Sequence, residues 1–178
     1  MRNTVYGVVH NPTQREDNMR KNGFRPRDSE RSKMYAAEAE VWEILKDTPA
    51  MTVFSEEDVR AMIVNALTSK FWRENFWLEG DAELHFVCST RARRGVSNLF
   101  YEEWRAKVIL PVDKMFPIYI FHEMAHVALF CVELKSGKRF AFHGKEFRRI
   151  FLLLLLLFVG EYACRQLASA FVRKGLKF

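Results

Sequence analysis

Residues 114–132 read Lys-Met-Phe-Pro-Ile-Tyr-Ile-Phe-His-Glu-Met-Ala-His-Val-Ala-Leu-Phe-Cys-Val, and this stretch decides the fold. Pro117 suits a first helical turn, where its missing N–H costs little. The residues after it are apolar on most sides, as in a helix through the middle of a domain. Inside it lies His122-Glu123-Met124-Ala125-His126, an HExxH pattern. Residues four apart on a helix share a face, so His122 and His126 present their imidazoles to one point. Two histidines and a glutamate on so apolar a segment need partners if buried, and a metal ion resolves that conflict. Zinc accepts imidazole nitrogen and forms catalytic sites with three protein ligands and an open position for water. Glu123, beside the first ligand, is placed to take a proton from the zinc-bound water and pass it to a leaving group. The pattern carries this meaning only on a helix. Helix histidines that merely pack or face solvent are the plain alternative.

A third ligand is available 17 residues after His126, at His143 in the segment His-Gly-Lys-Glu-Phe, 143–147. Glu146 and Glu161 are carboxylate alternatives. Three of the five histidines thus fall in two short segments, and neither His10 nor His85 has such a context.

HEMAHVALF followed by HGKEF resembles the SprT-like and Spartan-type zinc metallopeptidases, which carry HExxH and then a histidine in an HGxxF setting. The wider stretch, about 27–172, is similar to small, uncharacterised metallopeptidases of actinobacteria and their phages. That similarity includes the opening RDSERSKMYAAE at 27–38 and the RARRG segment at 91–95. The resemblance implies one Zn2+ per chain on His122, His126 and His143, with Glu123 as the catalytic residue and a protein or peptide as substrate. It also favours His143 over Glu146 and Glu161. One departure is clear. Cys88, Cys131 and Cys164 form no CxxC pair, so the cysteine zinc ribbon of many SprT proteins is missing, and repair of DNA–protein crosslinks is not implied.

The composition agrees with one intracellular domain. A length of 178 residues with 49% hydrophobic content suffices for one sizeable core. Three scattered cysteines make no disulfide framework, which points to a reducing compartment. The N-terminal residues lack an apolar stretch and a cleavage pattern, so no secretory signal is expected and the localisation is cytoplasmic, in a host cell if the chain is viral. The apolar run 150–159 is about half the roughly 20 residues that span a bilayer, so it reads as a buried helix behind the active site.

The net charge is +6, and residues 1–33 carry eight Lys/Arg against four Asp/Glu, a net of +4. Arg91, Arg93 and Arg94 form a second basic cluster, and Arg165, Arg173, Lys174 and Lys177 a third. Such clusters can contact phosphates, which makes nucleic acid a candidate partner; solvated surface is the ordinary alternative.

Along the chain, residues 1–28 read as a basic extended arm and 29–178 as the SprT-like domain. A helix is expected from Ser29 to about Lys46 with Met34, Ala37, Val41 and Leu45 inward. Ser55 followed by an acid at Asp58 marks a second helix start, with Val59, Met62, Ile63, Ala66 and Leu67 on its inner face. Alternation at Leu84, Phe86, Cys88 and at Trp104, Ala106, Val108, Leu110 predicts two half-buried strands, with a third at 97–101. The expected architecture is α+β and zincin-like, with helices packed on a small antiparallel meander and the HExxH helix following an edge strand that Pro111 ends. Residues 133–141 form a polar connection, followed by helices at 144–159 and 161–172. Tyr119, Tyr162 and Arg94 are candidate oxyanion helpers that the sequence does not place. Two other readings stay open. One is a nucleic-acid-associated factor acting on DNA-bound proteins. The other is a structural or assembly protein whose zinc is closed by a fourth ligand such as Cys131, Glu146 or Glu161.

Overall fold

The HExxH stretch forms a helix, α4 (Pro117–Ser136), that begins at Pro117 and ends at Gly137 in a left-handed conformation with φ of 69°. Gly tolerates that φ without steric cost, which is why the helix stops there. The helix continues four residues, 133–136, into the segment expected as connection. All its residues except Val132, Lys135 and Ser136 are buried. By length and composition it is apolar enough to cross a membrane, yet 94% of its most apolar window is buried inside the fold. Burial on nearly every face is what its all-round apolar sequence requires.

The computed structural model describes residues 25–76, 83–93, 95–100 and 105–178. Most of the expected arm, Arg94, His10 and Trp104 therefore lie outside the described residues, as does the side chain of Leu84.

Among the described residues, three α-helices precede the sheet. Helix α1 (Arg31–Leu45) buries Met34, Ala37, Val41 and Leu45 as the spacing predicts. A short turn at Pro49–Met51 follows. Helix α2 (Glu56–Thr68) is capped by Ser55, whose hydroxyl accepts from the Asp58 N–H, and Glu56, Glu57 and Asp58 complement the positive end of the helix. Val59, Ile63 and Ala66 are buried in it, while Met62 and Leu67 are partly so. Helix α3 (Lys70–Asn75) starts at a second serine cap, Ser69.

The sheet departs from the expected antiparallel meander. Its strands β1 (Glu83–Ser89), β2 (Val96–Phe100) and β3 (Arg105–Pro111) lie in the order β1-β3-β2. β1 and β3 are parallel, whereas β2 and β3 are antiparallel. The HExxH helix thus follows the central strand, not an edge strand. Ala106, Val108 and Leu110 of β3 are all at most 2% exposed, in keeping with a strand flanked on both sides. Pro111 fits because it is the last residue of β3, opposite Ser89 at the end of the ladder, where few donors remain to be lost.

Helix α5 (Lys145–Phe158) and helix α6 (Glu161–Arg173) complete the chain. α4 packs on α5, on β2 and on β3; α6 packs on α5 and on α1. The leucine run is amphipathic rather than fully buried: Leu152, Leu154 and Leu155 face inward, while Leu156 and Leu157 are about half exposed. That follows from a helical period of 3.6 acting on six consecutive leucines.

Candidate metal centre

His122 and His126 lie one turn apart on α4, and His143 arrives at the end of the 137–144 connection. Their ligating nitrogens all lie within 4.8 Å of one another, and all three residues are buried. Gly144 N–H donates to Ala141 O at 3.0 Å, closing the turn that presents His143. A Cβ on Gly144 would meet the Ala141 side chain at 3.0 Å, so the turn suits glycine. Phe147, one helical turn after His143, is fully buried and lies 4.4, 5.1 and 5.2 Å from the His126, His143 and His122 rings. It is the apolar floor beneath the three imidazoles, which gives the HGxxF spacing its physical meaning.

Each outer nitrogen has a distinct environment. His122 Nδ1 lies 2.6 Å from Glu38 Oε1, and His143 Nδ1 lies 2.6 Å from Asp28 Oδ2. A carboxylate on one ring nitrogen leaves the other free to ligate a metal. His126 Nδ1 is buried with no hydrogen-bond partner among the described residues. The Tyr35 hydroxyl lies 3.5 Å from His143 Nε2. Burial holds His126 well below the usual histidine range, helped by the neighbouring His122 and His143. His143 is also lowered by burial and by His122, against the pull of Asp28. For His122 burial pushes down, but the charge and hydrogen bond of Glu38 outweigh it and raise the value. Three buried imidazoles this close, two of them oriented by carboxylates and one with an orphaned nitrogen, form a donor set that fits a metal ion. Among the described residues, the group contains these three side chains. Glu146 instead approaches Arg149, Glu161 pairs with Arg165, and Cys131 is buried with its thiol pushed up to about 12 by burial.

Glu123 is buried beside them, and burial raises its carboxyl above the usual range, against the opposing effects of His122 and of Ser97. The Ser97 hydroxyl on β2 donates to Glu123 Oε2 at 2.5 Å. Gly95 N–H donates to the Tyr119 hydroxyl. A Cβ on Gly95 would lie 2.3 Å from Glu123 Oε1, so only glycine lets the backbone come this close. The glutamate faces a cleft of about 220 Å³ lined by Tyr35, Glu38, Trp42, Gly95, Lys114 and Tyr119 as well as His122.

The geometry places Tyr119 at this cleft, whereas Tyr162 is 58% exposed on α6. Arg91 and Arg93 are exposed on the loop that leads to Gly95. The C-terminal basic group is largely paired, Arg165 with Glu161, and Arg173 and Lys174 with Glu40. Asp28, Tyr35, Glu38, Gly95 and Ser97 were not singled out from sequence. Glu38 carried a signal, being a carboxylate on the inward stripe Met34-Glu38-Val41-Leu45. Comparison with protein-family models, with curated proteins and with solved structures finds no match.

Proposed function

We propose that the protein is a zinc-dependent metallopeptidase of the SprT-like, zincin type. The observation that carries this reading is a cluster of three buried imidazoles, one of which, His122, lines the same cleft as the buried Glu123. His122, His126 and His143 would hold the zinc, which when bound would supply Lewis acidity toward a peptide carbonyl and lower the pKa of a water. Glu123 accepts the proton of the attacking water and delivers it to the leaving nitrogen, and a carboxyl raised by burial is better matched to that exchange. Ser97 orients the carboxylate by its hydrogen bond. β2 is an edge strand among the described strands, and it runs beside Glu123. An extended peptide added to such an edge is held by backbone hydrogen bonds, which suits unfolded protein segments of varied sequence. Three scattered cysteines, none of them in a disulfide, support a reducing, cytoplasmic setting.

The test is metal analysis of protein purified without chelators, with digestion of casein by wild type, His143→Ala and Glu123→Gln. The expected result is one zinc per chain, weakened in His143→Ala, with cleavage abolished and zinc retained in Glu123→Gln. Stoichiometric zinc without cleavage refutes the peptidase reading, and absence of bound metal refutes the site. The exposed Arg91 and Arg93 near Gly95 favour a second reading, in which the substrates are DNA-bound proteins. That reading requires salt-dependent DNA binding that persists in Glu123→Gln.

A further inference from the structure

His122 and His126 are preset by one helix, but His143 sits on a connection, and something else must fix it. That connection is gripped from the N-terminal side of the chain at several points. Arg25 donates to Phe140 O at 2.6 Å and to Glu133 Oε2 at 2.7 Å, and its guanidinium lies 3.8 Å from the centre of the Phe142 ring. Asp28 Oδ2 takes His143 Nδ1 at 2.6 Å across 115 residues of sequence. Arg148, itself 1% exposed, donates to His143 O at 2.6 Å and to Glu30 Oε2 at 2.9 Å. One short segment, 25–30, thus contacts the carbonyl before the turn, the ring of the histidine and, through Arg148, its carbonyl.

We propose that segment 25–30 is a working part of the metal centre, and that Asp28 is the positioning residue that sets His143 for metal binding. This rests on the metal reading above. With its Nδ1–H donated to Asp28, a neutral His143 has its lone pair on Nε2, which leaves that nitrogen as the one able to ligate a metal. The second carboxylate oxygen, Oδ1, is buried with no hydrogen-bond partner among the described residues. The third ligand is thereby tied to docking of the N-terminal segment. Displacing that segment, by proteolysis or by a partner that captures it, leaves a two-histidine site of low affinity.

The experiment uses the full-length chain with Asp28→Ala, Asp28→Asn, His143→Ala and the double variant Asp28→Ala/His143→Ala. Zinc affinity is measured by chelator competition, and the visible spectrum of the cobalt(II)-loaded protein reports the ligand field. Asp28→Ala should weaken zinc about 10- to 100-fold, the range for loss of such an outer partner, and alter the cobalt spectrum. Asp28→Asn keeps an acceptor oxygen and should recover part of the affinity. In the His143→Ala background the Asp28 substitution should have no further effect, because its action runs through that ring. The metal-free melting temperatures of wild type and Asp28→Asn control for folding. Zinc affinity within twofold of wild type and an unchanged cobalt spectrum in both Asp28 variants would overturn the proposal. So would an equal loss in the His143→Ala background. If wild type itself binds neither zinc nor cobalt, the metal reading fails and this proposal with it.

Discussion

Gly95→Ala isolates the contact between β2 and the proposed general base. The added Cβ would stand 2.3 Å from Glu123 Oε1, 2.8 Å from its Cδ and 2.9 Å from the Tyr119 hydroxyl. Ordinary contacts of this kind begin near 3.4 Å. Something therefore has to move by about 1 Å. Glu123 is pinned by Ser97 on one side and by its place on α4 on the other, so neither it nor β2 can yield without losing its alignment. A misplacement of about 1 Å at a reacting group costs on the order of 100-fold in rate, which is about 2.7 kcal/mol of barrier. The overpacking itself costs about 1–3 kcal/mol of stability. None of the three clustered histidines is among the atoms nearest the added methyl, so zinc content should stay at the wild-type level. The assay is casein or denatured-protein digestion under saturating substrate, with metal analysis and a thermal melt on the same sample. A protein with full zinc and kcat within threefold of wild type would refute the reasoning, since it would show that the carboxylate tolerates the clash or plays no part.

Three further outcomes are expected. Ser97→Ala removes the hydrogen bond that lowers the Glu123 carboxyl, so the acid limb of the pH–activity profile should move to higher pH. A shift to lower pH, or none, would show that Ser97 does not set it. Burial pushes the Cys131 thiol up to about 12, which keeps it protonated at pH 8, so a disulfide reagent should label Cys88 and Cys164 well before Cys131 in the folded protein. Equal labelling rates would contradict the buried position of Cys131. Arg148→Leu leaves the carbonyls of His143 and Lys177 without their donor and should destabilise by about 2 to 4 kcal/mol, read as a lowered midpoint in chemical denaturation. A midpoint unchanged from wild type would show that these bonds contribute little.

The sequence exposed those parts of the molecule that repeat on a local period. The HExxH face, the Ser55 cap and the inward stripe of α1 all follow from spacing within one element, and the structure places them as the spacing requires. The order of the strands did not follow, because alternation says which face is buried but not which neighbour a strand takes. β1 bonds to β3 in parallel although β2 comes between them in the chain. At the site the same division holds. His122, Glu123 and His126 were legible because they share a helix turn, and His143 because of its own short motif. Asp28 acts across 115 residues and had no local mark. Gly95 lay hidden in RARRG, a segment whose charge drew notice while its glycine sets the approach to Glu123. The opening RDSERSKMYAAE is legible as a resemblance and as the start of α1, yet neither reading marks its Asp28, Tyr35 and Glu38, which lie against the histidines.

Arg148 has a mechanical consequence. Its guanidinium holds Glu30 near the front of the described chain, the carbonyl of Lys177 at its back, and the carbonyl of His143 between them. A pull on either end of the domain is thus carried through Arg148 to the backbone of His143, and from the front also through Arg25 and Asp28. Tension at the ends of the domain therefore bears directly on the segment that presents the third histidine of the proposed metal centre.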